Sequence, residues 1–116
     1  LDEHPAVSWV AYPGLEHHET HDLATRYLEG DYGGMVALGL EGGYEAAKRL
    51  CEETAVAKFL ANIGDARTLI VHPASTTHAQ LSEAEQRAGG VAPEMVRLSV
   101  GIENVGDIIA DLEGAL

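Results

Sequence analysis

Strand-type and helix-type segments alternate along this chain with almost no loop between them, which limits the folds open to it more than any other feature. "VSWVAY" (7–12) has strand composition and stops at the turn pair Pro13-Gly14. A helix is predicted from about 19 to 29, with Leu23, Ala24, Tyr27 and Leu28 on one face and Gly30 as its stop. "GGMVALGL" (33–40) is an apolar strand rich in glycine. Residues 43–54 return to helical spacing through Ala47, Leu50 and Cys51, and a slip of phase from Val56 predicts a break near Thr54. "RTLIVHP" (67–73) is a short strand closed by proline.

Ser82 and Glu85 form an S-x-x-E capping box at the start of the next helix, and Gly89-Gly90 ends it. The strand "MVRLSVGIE" (95–103) follows. Asn104 then caps a last helix whose Val105, Ile108, Ile109, Leu112 and Leu116 make a continuous apolar stripe. No linker or repeat divides the chain, so 1–116 is read as one domain. Taken alone, the alternation suggests a parallel α/β sheet with helical crossovers. Half-polar strands with apolar helix stripes also fit a sheet covered on one face, the α+β arrangement. Periodicity does not choose between the two.

Charge narrows the function classes. Nineteen acidic residues against seven basic ones leave a formal charge of −12, and only Lys48 and Lys58 are lysines. Nucleic acid is therefore not an expected partner, because binding it needs a basic footprint. An acidic, lysine-poor surface resembles proteins of salt-loving organisms, in which a carboxylate shell self-repels in dilute buffer. The apolar runs fall far short of the roughly 20 residues of a membrane span, so no membrane role is expected and a cytoplasmic location is. Cys51 reads as a core thiol. The chain opens on Leu1 with a strand almost at once, as a piece cut from something longer would.

"HHETHD" (17–22) is the loudest chemical cluster, yet a helical zinc site needs His-Glu-x-x-His and His18-Glu19-Thr20-His21 is one residue short. No metal site is expected at His17, His18 or His21. His72 and His78 read as capping or hydrogen-bonding histidines. The glycines of "GDYGG" and "EGG" lack the spacing of a dinucleotide loop and read as turn glycines.

What remains is Arg97. Val96, Leu98, Val100 and Ile102 form the core face of its strand, and Arg97 stands on the other with Ser99 and Gly101, small residues expected to leave a hollow beside it. Pairing with Glu103 is hard to build, since six residues of strand span roughly 20 Å. A guanidinium framed by small residues is shaped to hold a carboxylate bidentately.

"NIGDARTLIVHPASTTH" (62–78) and "MVRLSVGIE" (95–103) closely resemble the C-terminal domain of the cystathionine/methionine-metabolism family of pyridoxal-phosphate enzymes. "YPGLEHHETHDLA" and "GDYGGMVALGL" also fit, so the resemblance covers nearly the whole chain. Within the family, "N-I-G-D" and "S-T-T-H" look most like O-acetylhomoserine sulfhydrylases, where cystathionine gamma-synthases and methionine gamma-lyases more often show "S-L-G" and "S-M-T-H".

The resemblance implies an α+β fold: the small C-terminal domain of the aspartate-aminotransferase type, a largely antiparallel sheet with helices on one face. It implies a cofactor domain upstream and, for the whole protein, pyridoxal phosphate and a homo-oligomer, expected to be a tetramer. O-acetylhomoserine would exchange acetate for sulfide or a thiol. Arg97 matches the arginine that grips the substrate's α-carboxylate, Asn62 falls where relatives place a serine that contacts it, and Thr77 matches a threonine supporting that pocket. The family's aldimine lysine lies in an S-x-T-K setting that neither Lys48 nor Lys58 has, so no catalytic lysine is expected here and the fragment alone should not bind the cofactor or turn over. A free-standing regulatory or ligand-binding module is the reading from a different class.

The charge excess yields a measurable expectation. The melting temperature should rise as potassium chloride goes from dilute to molar, because screening relieves carboxylate repulsion and salt strengthens apolar burial. A melting temperature that stays flat or falls across that range contradicts the salt-adaptation reading.

Overall fold

A computed structural model describes residues 1–116 as a five-stranded sheet with four helices. The strands are β1 (Val7–Ala11), β2 (Met35–Leu40), β3 (Lys58–Phe59), β4 (Leu69–Val71) and β5 (Met95–Ser99). The helices are α1 (His21–Leu28), α2 (Gly43–Glu53), α3 (Glu83–Ala88) and α4 (Val105–Ala115), with a 3₁₀ turn at Pro73–Ser75. The sheet order is β1-β2-β5-β4-β3, antiparallel at every junction except β3/β4. That is an α+β mixed sheet, and the parallel α/β architecture suggested by alternation is not adopted. The helices do not serve as crossovers between parallel neighbours; β5, last in sequence, inserts between β2 and β4.

The core lies on one face. Leu38 and Leu40 of β2, Ile70 of β4 and Val96 and Leu98 of β5 meet Ala47, Leu50 and Cys51 of α2 and Ile108, Leu112 and Ala115 of α4. Burial pushes the Cys51 thiol up to about 12, helped by neighbouring Glu52, so it behaves as a small apolar core residue. The α2 helix ends at Glu53 with extended Thr54 as its C-cap, where the phase slip places the break. Ser82 and Glu85 form the expected capping box, and Asn104 accepts from Gly106 N–H at 2.8 Å.

Three expected apolar faces are exposed in whole or in part. In α1, Leu23, Tyr27 and Leu28 are exposed and the helix buries no residue; it is held instead by His21, stacked on Tyr32 with centroids 5.5 Å apart. In α4, Val105 and Ile109 are exposed while Ile108 and Leu112 are buried, so only half the stripe meets the sheet. On β5, Val100 and Ile102 leave the sheet, and Ile102 is 86% exposed. The strand stops because Gly101 lies against the backbone of 66–68, where an added Cβ would fall 2.4 Å from Ala66 O and Thr68 N. Ile102 N–H donates to Ala66 O, and Gly101 N–H donates to Thr68 Oγ1. The chain has turned to clasp its neighbour, which ends the period-two pattern.

Asp111 ties α4 to the α2–β3 connection. Its carboxylate accepts from Ala55, Val56 and Ala57 N–H at 2.7, 3.0 and 2.9 Å. Burial raises its pKa, the three N–H donors more than offset that, and the net direction is down. A depressed carboxylate contributes stability above its unfolded value near 3.8 and loses it as pH falls through the lower folded value. Asp111→Ala should therefore cost about 1–2 kcal/mol at neutral pH, as loss of a multidentate cap does. Urea unfolding of both proteins at pH 7 and pH 3 should show the gap narrowing in acid; an equal gap at both contradicts the assignment.

Candidate functional site

The sheet face away from α2 and α4 carries Arg97. Cross-strand pairing sets it between Ala37 of β2 and Val71 of β4, and Trp9 lies over Gly39 one step along β2. A Cβ on Gly39 would sit 2.1 Å from Trp9 Nε1, so glycine there makes the space the indole fills. The β2 neighbour of Arg97 is the small residue Ala37. The expected hollow from Gly101 does not form, because Gly101 is packed on residues 66–68, and Ser99 is itself buried.

Arg97 is half-buried and has no carboxylate within ion-pairing distance; the four ion pairs of the chain are His17–Asp2, Lys48–Glu52, Arg67–Asp65 and Arg87–Glu83. One amino group donates to the main-chain carbonyl of Asn62 at 3.4 Å, a long and weak contact. Its Nε is shut off from solvent with no partner. A buried, unanswered N–H costs about 1–3 kcal/mol, and an arriving acceptor would relieve it.

The structure brings Asn62 to Arg97 through its backbone rather than its side chain. Asn62 Oδ1 accepts from Ile63 N–H at 2.9 Å. Thr77 is not joined to Arg97 by any hydrogen bond; its hydroxyl is paired with His78 Nδ1 at 2.8 Å. The turn that carries Thr77 is anchored by His72, fully buried, with Nδ1 at 2.8 Å from Ser75 Oγ, Nε2 at 2.7 Å from Pro93 O and an edge contact to Tyr44. Gln86 completes the anchor by donating to Ala74 and His78 carbonyls. Both histidines of this stretch are hydrogen-bonding residues, as expected.

Sequence reasoning passed over Asp65, Arg67, Thr68 and Glu103. Glu103 accepts from Thr68 N–H at 2.8 Å and Thr68 Oγ1 at 2.7 Å, and these bonds hold its pKa down. Arg67 grips Asp65 and lowers that carboxylate's pKa. The signal for the second pair was "GDAR", since an aspartate two residues before another residue's N–H makes an Asx turn. Glu103 carried no local signal, because its partner is 35 residues away.

Neither lysine is placed as a cofactor anchor. Lys48 sits 3.9 Å from Glu52 on α2, and Lys58 Nζ donates to the Ala55 carbonyl. His17 lies 3.7 Å from Asp2, His18 bonds Thr20, and His21 bonds Pro13 O; together they form no metal-binding group. No helix is long and apolar enough to cross a membrane.

The fold is an α+β mixed sheet that carries Arg97, an arginine without an ion-pair partner, on the face away from α2 and α4. The chain belongs to the Cys/Met metabolism PLP-dependent enzyme family, whose model matches residues 1–116. It is 57% identical over its whole length to O-acetyl-L-homoserine sulfhydrylase 1 of Thermus thermophilus, covering 28% of that protein. It is 46% identical to an L-methionine gamma-lyase of Fusobacterium nucleatum, again over all of this chain and 29% of the other. A crystal structure from Campylobacter jejuni, described as an O-acetylhomoserine (thiol)-lyase with a pyridoxyl-lysine phosphate, matches with TM-score 0.88 and 41% identity over 97% of this chain and 27% of that one. The chain thus spans under a third of the length of each. The family depends on pyridoxal phosphate, and the lysines of this chain do not fit the role of holding it.

Proposed function

We propose that this chain is the small C-terminal domain of a pyridoxal-phosphate-dependent O-acetylhomoserine sulfhydrylase and that it supplies the grip on the substrate's α-carboxylate. The observation that carries the reading is Arg97: a half-buried guanidinium on the sheet face away from α2 and α4, without an anionic partner in a chain of charge −12. Such a residue is retained where a ligand supplies the counter-charge.

In this reading Arg97 fixes one end of the amino acid, so that its other end is presented to the chemistry carried by the rest of the protein. Holding the carboxylate in a planar, two-point contact limits rotation of the substrate about that bond. Asn62 contributes its carbonyl, which orients the guanidinium, and Thr77 a hydroxyl on the neighbouring turn. The lysine and the phosphate site belong to the cofactor domain proposed upstream, and this chain alone is inactive. Sulfide or a small thiol is the second substrate. The sulfhydrylase reading is preferred to a gamma-synthase or gamma-lyase on the "N-I-G-D" and "S-T-T-H" stretches and on the higher identity to a sulfhydrylase.

In the full-length protein, Arg97→Leu should lower kcat/KM for O-acetylhomoserine by roughly 10- to 150-fold, the worth of a charge-assisted contact. Folding should survive, because the buried side chains of β5 that face the helices, Val96 and Leu98, are untouched. A substrate analogue lacking the α-carboxylate should react equally with both proteins. Equal losses for the two compounds, or a wild-type rate with O-acetylhomoserine, would make Arg97 a structural residue.

A further inference from the structure

Arg97 is free of carboxylates although one is close along the chain. Asn62 contacts its guanidinium, and Asp65 lies three residues further on in the same exposed loop. Asp65 is instead enclosed by Arg67. Its Oδ1 accepts from Arg67 N–H at 2.9 Å and Arg67 Nε at 3.0 Å, and its Oδ2 accepts from Arg67 NH2 at 2.9 Å. The Asp65 side chain is only 17% exposed beneath an Arg67 side chain that is 58% exposed. Beyond it, Ala66 O and Thr68 are fastened to Ile102, Gly101 and Glu103 on the extension of the strand that bears Arg97.

An Asx turn needs only the bond from the Arg67 N–H to Asp65. The two guanidinium contacts are additional, and what they do is occupy both carboxylate oxygens in the planar fork geometry that arginine makes best. We infer that Asp65 and Arg67 are positioning residues for the Arg97 site. Asp65 gathers the 62–67 turn so that Asn62 offers Arg97 a neutral carbonyl, and Arg67 keeps the loop's own carboxylate off that guanidinium. Without Arg67, a tethered carboxylate would stand near Arg97 at an effective concentration on the order of millimolar and compete with a substrate carboxylate. A carbonyl at 3.4 Å competes weakly by comparison. The inference rests on the reading of Arg97 as the carboxylate receptor.

The test uses the full-length protein and O-acetylhomoserine, with Arg67→Met, Asp65→Asn, the double variant and Arg97→Leu compared by KM and kcat. Arg67→Met should raise KM several-fold to about tenfold with kcat within about twofold, since only ground-state access to Arg97 is obstructed. Asp65→Asn keeps an oxygen for the turn and removes the competing charge, so its KM should rise less than that of Arg67→Met, and adding it to Arg67→Met should restore most of the loss. A purely structural role predicts the opposite order, with the double variant as impaired as Arg67→Met or worse. That order, an unchanged KM in Arg67→Met, or a KM in Asp65→Asn as high as that of Arg67→Met overturns the inference. If Arg97→Leu is also crippled, only the inference falls; if Arg97→Leu behaves as wild type, the carboxylate reading falls with it.

Discussion

The arrangement depends on β5 being a middle strand. Paired antiparallel to β2 on one side and β4 on the other, its main-chain groups are satisfied within the sheet, and alternation sends successive side chains to opposite faces. Val96 and Leu98 go to the helix side and close the core; Arg97, between them, must emerge on the other. A rigid strand therefore fixes the base of a charged side chain, and flanking strands bring Ala37 and Val71 alongside it. A site built on a central strand is held more precisely than one on a loop.

A half-buried charge without a counter-ion is destabilising, and the surroundings keep that cost tolerable. The guanidinium retains partial solvent access and one carbonyl contact, while Nε goes unanswered. The acidic groups of the strand's extension and of the Asn62 loop are committed to other partners: Glu103 to Thr68, Asp65 to Arg67. The negative excess of the chain makes that separation more telling, because the commonest fate of an arginine among 19 carboxylates is to pair with one.

Much of this was legible in the residues and some was not, for physical reasons. Local signals held: the Ser82–Glu85 box, the Asn104 cap and the break at Thr54 depend on residues within a turn of one another. The period-two reading of Met95–Ser99 put Arg97 opposite the core, which the sheet bears out. It failed from Val100 onward because a long-range backbone approach at Gly101 overrides periodicity, and glycine's lack of a Cβ reads the same in a hollow as in a tight contact. The apolar face of α1 misled because an amphipathic pattern reports what can be buried, not what covers it. Strand order was out of reach of alternation; only family resemblance favoured the antiparallel sheet. Asn62 does meet Arg97, but through its carbonyl, and spacing cannot distinguish a side-chain donor from a backbone acceptor.

Membership of the pyridoxal-phosphate family rests on the full-length match, whereas the role of Arg97 rests on geometry and on the chemistry of an unpaired guanidinium. The most direct measurement is a crystal structure of the full-length protein with an unreactive amino-acid analogue of O-acetylhomoserine. The account predicts both oxygens of the ligand's α-carboxylate at about 2.7–3.1 Å from Arg97 guanidinium nitrogens, with the Asp65–Arg67 pair intact. A ligand whose carboxylate is bound elsewhere, with Arg97 still resting on the Asn62 carbonyl, would contradict it.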